Sequence, residues 1–304
     1  MTRLVVGVAA ATVLSVGCSE FSVRRAALVP HQQPTMRSGQ GMGINKHEVS
    51  LGTPTLASLT EPKEVDGANA GVVIPRWEFN GAWRIQASKN LDLGLVVDWG
   101  LDKGSRAVDD DQPDPDNGDV RGGGLSLGYS FEASPLFSIG LSADLVIYSI
   151  PYVEYRTCVS LCPNGLNFDS VEHDRDTIPV AAIGITPSWR VSPNWVVFGA
   201  ANLRNHPTIR KGDVEIGVEV FDDEEVEAGP GNIVASAGAE FQMDNGLRMM
   251  AFIHQPVYMD PVQYGPTIGV SFTIPIARMQ TQPSLVPAPV PPGAYGTPPP
   301  NAGR

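Results

Sequence analysis

The sequence predicts an all-β chain, folded as an up-and-down antiparallel transmembrane β-barrel of about ten strands, with eight as the alternative count. Three observations predict it. Apolar residues recur at every second position over nine segments, and the apolar phase of those segments carries no charged residue, although 18% of the chain is charged. Tight and long connections alternate along the chain, as they do when one end of a barrel faces the periplasm and the other the exterior.

The first element is an address. Arg3 makes a positive start, Leu4 to Val16 an apolar core, and Gly17 a small residue at the cut, so residues 1–17 read as a secretory signal peptide. Leu14-Ser15-Val16-Gly17-Cys18 resembles the lipobox of bacterial lipoproteins, with Ser15 where Leu is usual. That resemblance implies lipidation of Cys18, which becomes the new N-terminus, and with Ser19 in place of Asp it points to the outer membrane. Residues 18–43 are expected to be a disordered linker.

The strands follow. In 91–101, Leu91, Leu93, Leu95, Val97, Trp99 and Leu101 share one face, and Asp92 and Asp98 lie on the other. A helix would mix these acids among the leucines, whereas a strand separates them. The pattern returns in 77–85, 125–131, 137–147, 181–189, 233–243, 247–253 and 268–276. Trp195–Leu203 is apolar on both phases, so its facing stays open, and Ile44–Gly52, with only Val49 and Leu51, is the weak tenth strand. Links near 88–90, 132–136, 192–194 and 244–246 are tight, and Asp244-Asn245-Gly246 is a good hairpin turn. The expected links 102–119, 150–177, 204–230 and 255–265 are long. Trp77, Trp99, Tyr129, Phe131, Phe137, Trp189 and Trp195 sit near strand ends, where headgroups favour aromatic side chains.

In this pattern the chain resembles bacterial outer-membrane β-barrel proteins over 44–276. The resemblance implies residence in the outer membrane of a Gram-negative-type bacterium, in contact with its lipid. Such proteins usually end on an aromatic residue of the last strand; here Phe272-Thr273-Ile274-Pro275-Ile276 is followed by residues 277–304, which hold eight of the 27 prolines. That tail cannot form a ladder and is expected to be disordered, reaching about 75 Å if extended. It is inert, or else a tether to the cell wall or a periplasmic partner.

Charge and cysteine narrow the function. A net charge of −12 argues against nucleic acid, which needs clustered Lys and Arg. Cys158 and Cys162 are close enough in an oxidising compartment to read as a local disulfide; half a metal site is the rival, with no second pair to complete it. If the phases hold, the lumen receives Glu78, Arg84, Asp92, Asp98, Asp144, Arg190, Glu240, Arg248 and His254, a nearly balanced set. A barrel this narrow fills with side chains, so paired polar groups are expected to plug it. The outer links are acidic, with seven Asp between 102 and 119, but Asp114-Pro-Asp-Asn-Gly-Asp119 fails the calcium-loop register. His173-Asp174-Arg175-Asp176 has a superficial likeness to the rim of omptin-type proteases, with no matching Asp pair. The expectation is a non-enzymatic barrel without cofactor or metal, in a structural, surface-interaction or narrow-transport role. A soluble periplasmic barrel or sandwich lipoprotein that binds an apolar ligand, and a rim hydrolase, are the alternatives.

Overall fold

The computed structural model describes residues 20–31, 37–43, 45–56, 59–60, 70–107, 118–160, 169–209, 214–216, 226–257 and 263–278. The signal-peptide and tail expectations, with Cys18 and Cys162, lie outside these residues. In chain order the strands are β1 (Glu20–Leu28), β2 (Asn45–Leu56), β3 (Leu59–Thr60), β4 (Ala70–Gln86), β5 (Leu91–Ala107), β6 (Val120–Ser134), β7 (Phe137–Ser160), β8 (Asp169–Arg190), β9 (Trp195–Ile209), β10 (Val214–Ile216), β11 (Val226–Gln242), β12 (Arg248–Pro256), β13 (Gln263–Tyr264) and β14 (Thr267–Arg278). Ten of them close an antiparallel barrel in the order β2-β4-β5-β6-β7-β8-β9-β11-β12-β14, with β14 returning to β2. The weak tenth strand is β2, and it makes the closure: Ile274 pairs with Val49 on one side, and Val49 with Trp83 on the other.

The apolar phase faces outward. Leu125 is 62% exposed, Ile183 60% and Val97 59%, and Leu51, Phe79, Leu93, Leu95, Ile147 and Phe272 behave alike. Their neighbours on the opposite phase, Ser126, Asp92 and Ser130, are buried. An apolar exterior that encircles the sheet is stable against hydrocarbon and not against water. The barrel therefore spans a membrane. Trp77 and Trp99 ring it at the end with long links. Tyr129, Phe131, Trp189 and Trp195 ring the other end, where Phe137 packs on Trp189 at 5.0 Å and Trp195 on Phe241 at 5.1 Å. The short-turn end is periplasmic and the long-link end external. β9 resolves its facing, with Trp195, Val197 and Leu203 outside and Val196 and Phe198 inside.

The tight turns form as expected. At Asp244-Asn245-Gly246 the chain reverses with Gly246 at φ 82°, a region that costs a side chain but not glycine. Gly246 N donates to Met243 O at 2.9 Å, and Met243 N to Leu247 O at 2.9 Å.

Two expectations need correction. The long links are shorter than predicted, because β5 runs on to Ala107, β7 to Ser160 and β9 to Ile209, while β8 begins at Asp169 and β11 at Val226. Beyond the hydrocarbon a strand has no need of an apolar outer face, so the period that marks it in the sequence stops before the strand does. Residues 20–31 and 37–43, expected as part of a linker, also carry structure. β1 pairs antiparallel with the outer end of β7, from Glu20 opposite Ser160 to Ala27 opposite Tyr152, and parallel with Arg25–Leu28 beside 70–73 of β4. Residues 37–43 lie against the inner wall towards the periplasmic end, ahead of β2.

Candidate functional site

The lumen is the candidate site, and the alternation that greases the exterior also furnishes it. One row of paired residues runs around most of the inner wall: Glu48, Arg84, Gly94, Ser126, Asp144, Ala182, Arg204 and Asn232 lie opposite one another strand by strand. Near the β14–β2 seam the Glu48 carboxylate takes Arg84 Nη1 at 3.3 Å and a closer bond from Arg248 Nη2, with Glu240 Oε1 4.0 Å from Arg248 Nη1. All four are buried, so the charges must be matched within the wall, since an unpaired one would be costly. Ser50 and Thr273 bond across the same seam at 2.8 Å.

The N-terminal segment is seated on this wall. Arg37 Nη1 meets Asp92 Oδ1 at 2.6 Å, and its Nη2 donates to Leu127 O at 3.0 Å and Leu141 O at 3.4 Å. Gly39 N donates to Ser188 Oγ at 2.7 Å. Gln40 Oε1 accepts from Arg190 and, at 3.3 Å, from Gln242 Nε2. Further out, His31 N donates to Glu78 Oε2 at 2.8 Å, His31 Nε2 to Pro75 O at 2.9 Å, and Arg25 Nε to Glu154 Oε2 at 2.6 Å. The wall is cut to receive it. A Cβ on Gly128 would lie 1.7 Å from Arg37 Nη1, and one on Gly140 would lie 2.7 Å from Gly39 Cα.

The outer half of the lumen holds an apolar cluster beside these polar contacts, which the expected filling did not include. Ala27 and Val29 of the segment pack with Ile74, Val120, Val146, Tyr148, Ile150, Tyr152, Ile178 and Val180 in one buried cluster. A smaller one joins Phe198, Met250 and Phe252. Between the outer cluster and the seam lies a cavity of about 70 Å³ lined by Asn80, Arg84, Asp98, Asp144, Tyr148 and Arg204, room for a few waters but not for a solute stream. Asp98 accepts from Asn80 Nδ2 at 2.7 Å and from the Tyr148 hydroxyl.

All nine residues expected in the lumen lie inside it. Glu78, Arg84, Asp92, Glu240, Arg248 and His254 are buried; Asp98, Asp144 and Arg190 are half-buried. They form no single cluster. Arg84 and Arg248 meet at Glu48, Glu240 faces Arg248, Asp92 meets Arg37, Glu78 meets His31, and His254 stacks on Phe252 at 6.0 Å. Sequence reading missed Glu48, Arg37, Arg204 and His206. Glu48 could have been found from the phase of β2; Arg37 sits in a stretch with no period. The Cys158 side chain, like Cys162 and Cys18, lies outside what is described. His173 and Asp174 stand on the exposed outer part of β8, where Arg175 Nε donates to Ser149 Oγ at 3.0 Å. Among the described residues no group of three His, Cys, Asp or Glu is placed to hold a metal ion.

At the outer mouth Asp119 accepts from Trp99 Nε1 at 2.8 Å and from Arg121 Nε at 2.6 Å, with Arg175 Nη1 3.6 Å away. Burial pushes its carboxyl up, but the bonds from Arg121 and Trp99 outweigh that and hold it below the usual carboxylate range.

No protein-family model matches the chain, and no curated protein matches it. Solved structures do. The translocator domain of the autotransporter NalP from Neisseria meningitidis is 11% identical, covers 84% of this chain and 88% of its own, and has a TM-score of 0.32. An outer-membrane channel from Pseudomonas putida F1 is 9% identical, covers 80% and 99%, and has a TM-score of 0.40. The toluene transporter TodX from Pseudomonas putida is 11% identical, covers 75% and 88%, and has a TM-score of 0.34. The likeness is one of barrel architecture.

Proposed function

We propose that this chain is an outer-membrane β-barrel, without enzyme activity, whose lumen is closed by its own N-terminal segment and whose role is structural or one of surface interaction. The observation that carries this reading is the seat for residues 37–40. Asp92 balances Arg37, two wall carbonyls cap the same guanidinium, and Gly140 stands where a side chain would strike the Gly39 main chain. A wall shaped around a segment of the same chain argues for an occupied interior. The apolar cluster above it excludes water, and with water it excludes ions. The lipid-facing exterior weighs against a soluble lipoprotein, whose apolar residues would be turned inward.

Planar-bilayer conductance tests the reading. The full mature chain is expected to insert and stay closed, whereas deletion of residues 19–43 is expected to give steady ion-conducting steps. Steady conductance from the full chain would overturn it and favour the narrow conduit.

A further inference from the structure

We infer that the lumen is the route by which this chain places its own N-terminus on the outer side of the membrane. The inference rests on the closed-lumen reading and goes beyond it, because a segment can fill a barrel from either end. Its direction is written in the pairing of β1. Ala27 lies opposite Tyr152 and Glu20 opposite Ser160, so the chain read backwards climbs β7 away from the membrane. The outer girdle marks where hydrocarbon ends: Trp99 pairs with Arg121, and Arg121 with Ser149. From Tyr152 to Ser160 the strand rises a further 25 Å or so. The parallel pairing of Arg25–Leu28 with 70–73 of β4, and the antiparallel pairing of Glu20–Ser22 with β10, add to the β7 ladder and fix β1 at that end. At the other end the segment passes Gln40 against Arg190 and Gln242 and enters β2 beside the last residues of β14. Glu20 is therefore external, and β14 ends on the periplasmic side.

Cys18 precedes Glu20 by two residues, which span at most about 7 Å. An acyl group held in the inner-facing leaflet would pull the segment back out of the lumen. Seating and that anchorage compete, and the carved seat favours the first.

A short epitope inserted between Ser19 and Glu20 of the full chain, with a second epitope after Arg304, tests the inference in a Gram-negative host. On intact cells an impermeant antibody is expected to stain the first epitope and not the second; both should stain after permeabilisation. Staining of the first epitope only after permeabilisation overturns the inference. Because an epitope could itself obstruct seating, a cysteine pair V23C/R156C in a C158S/C162S background gives an independent readout. Oxidative cross-linking of most of the protein is expected, and absence of the cross-link in a correctly inserted barrel overturns the placement. Bilayer silence with an inside-only epitope sinks this inference alone, whereas steady conductance sinks the closed-lumen reading beneath it.

Discussion

Glycine does at single positions here what a carboxylate does elsewhere: it defines a contact. Gly140 on β7 and Gly39 on the inserted segment approach so closely that a Cβ on either would strike the other's main chain. Arg37 differs, because its guanidinium is the movable end of a long side chain, and an added Cβ at Gly128 could push it aside. Gly140→Val is therefore the sharper probe. It leaves the Arg37–Asp92 pair chemically intact and removes only the space the backbone occupies. Valine also suits a strand better than glycine, so the wall itself should lose nothing. The expected outcome is a barrel that still migrates as a folded band on unboiled gels but conducts in bilayers. A silent Gly140→Val barrel would mean that the charge pair, not the fit, holds the segment.

Strands β5, β6, β7 and β8 separate what could be read from the sequence from what could not. Within the hydrocarbon, alternation is enforced on both sides, since lipid excludes charge from one face and the packed lumen excludes bulk from the other. Leu93, Leu95 and Val97 against Asp92 and Asp98 are legible for that reason. Above the girdle neither constraint acts. Val153-Glu154-Tyr155-Arg156 and Glu172-His173-Asp174 look like loop but are strand, and only β1, brought from far away in sequence, explains why Val153 and Glu154 are buried. The same distance hid Arg37: its partner is 55 residues away, and no local period announces a segment that meets the wall outside any β-ladder. The junction of β5, β6 and β8 near the outer mouth carries a pH signature. The folded carboxyl of Asp119 sits below its unfolded value, so it stabilises the junction above the unfolded pKa, and that contribution is lost as pH falls through the lower, folded one. Tryptophan fluorescence followed from about pH 6 down to about pH 2 should change at acid pH in the native chain, as Trp99 loses its acceptor, and an Asp119→Asn chain should lack that step. An identical step in both would place the titration elsewhere.

At the scale of the molecule the assignment turns on one distinction, between a surface that is merely exposed and a surface that is exposed to lipid. Exposure alone does not make it: Ile183, midway along the apolar stretch of β8, is 60% exposed, and Val191, at the turn that follows, is 63% exposed. Were water outside, arginine at either place would cost little and about equally, since both side chains already stand clear of the protein. Were hydrocarbon outside, depth would decide. Arginine at mid-bilayer costs about 2–4 kcal/mol in barrels of this kind and about 0–1 kcal/mol near the interface. Ile183→Arg should then lower the stability of the barrel in phospholipid vesicles by that larger amount, read from the urea midpoint of the folded, unboiled gel band, while Val191→Arg should leave the midpoint nearly unmoved. Pairing each variant with its twin on β6, Leu127→Arg in the belt and Leu136→Arg at the turn, guards against a local effect of one strand. A ranking by depth that holds on both strands is what a membrane imposes, and equal small effects at all four positions would leave the apolar exterior without its solvent.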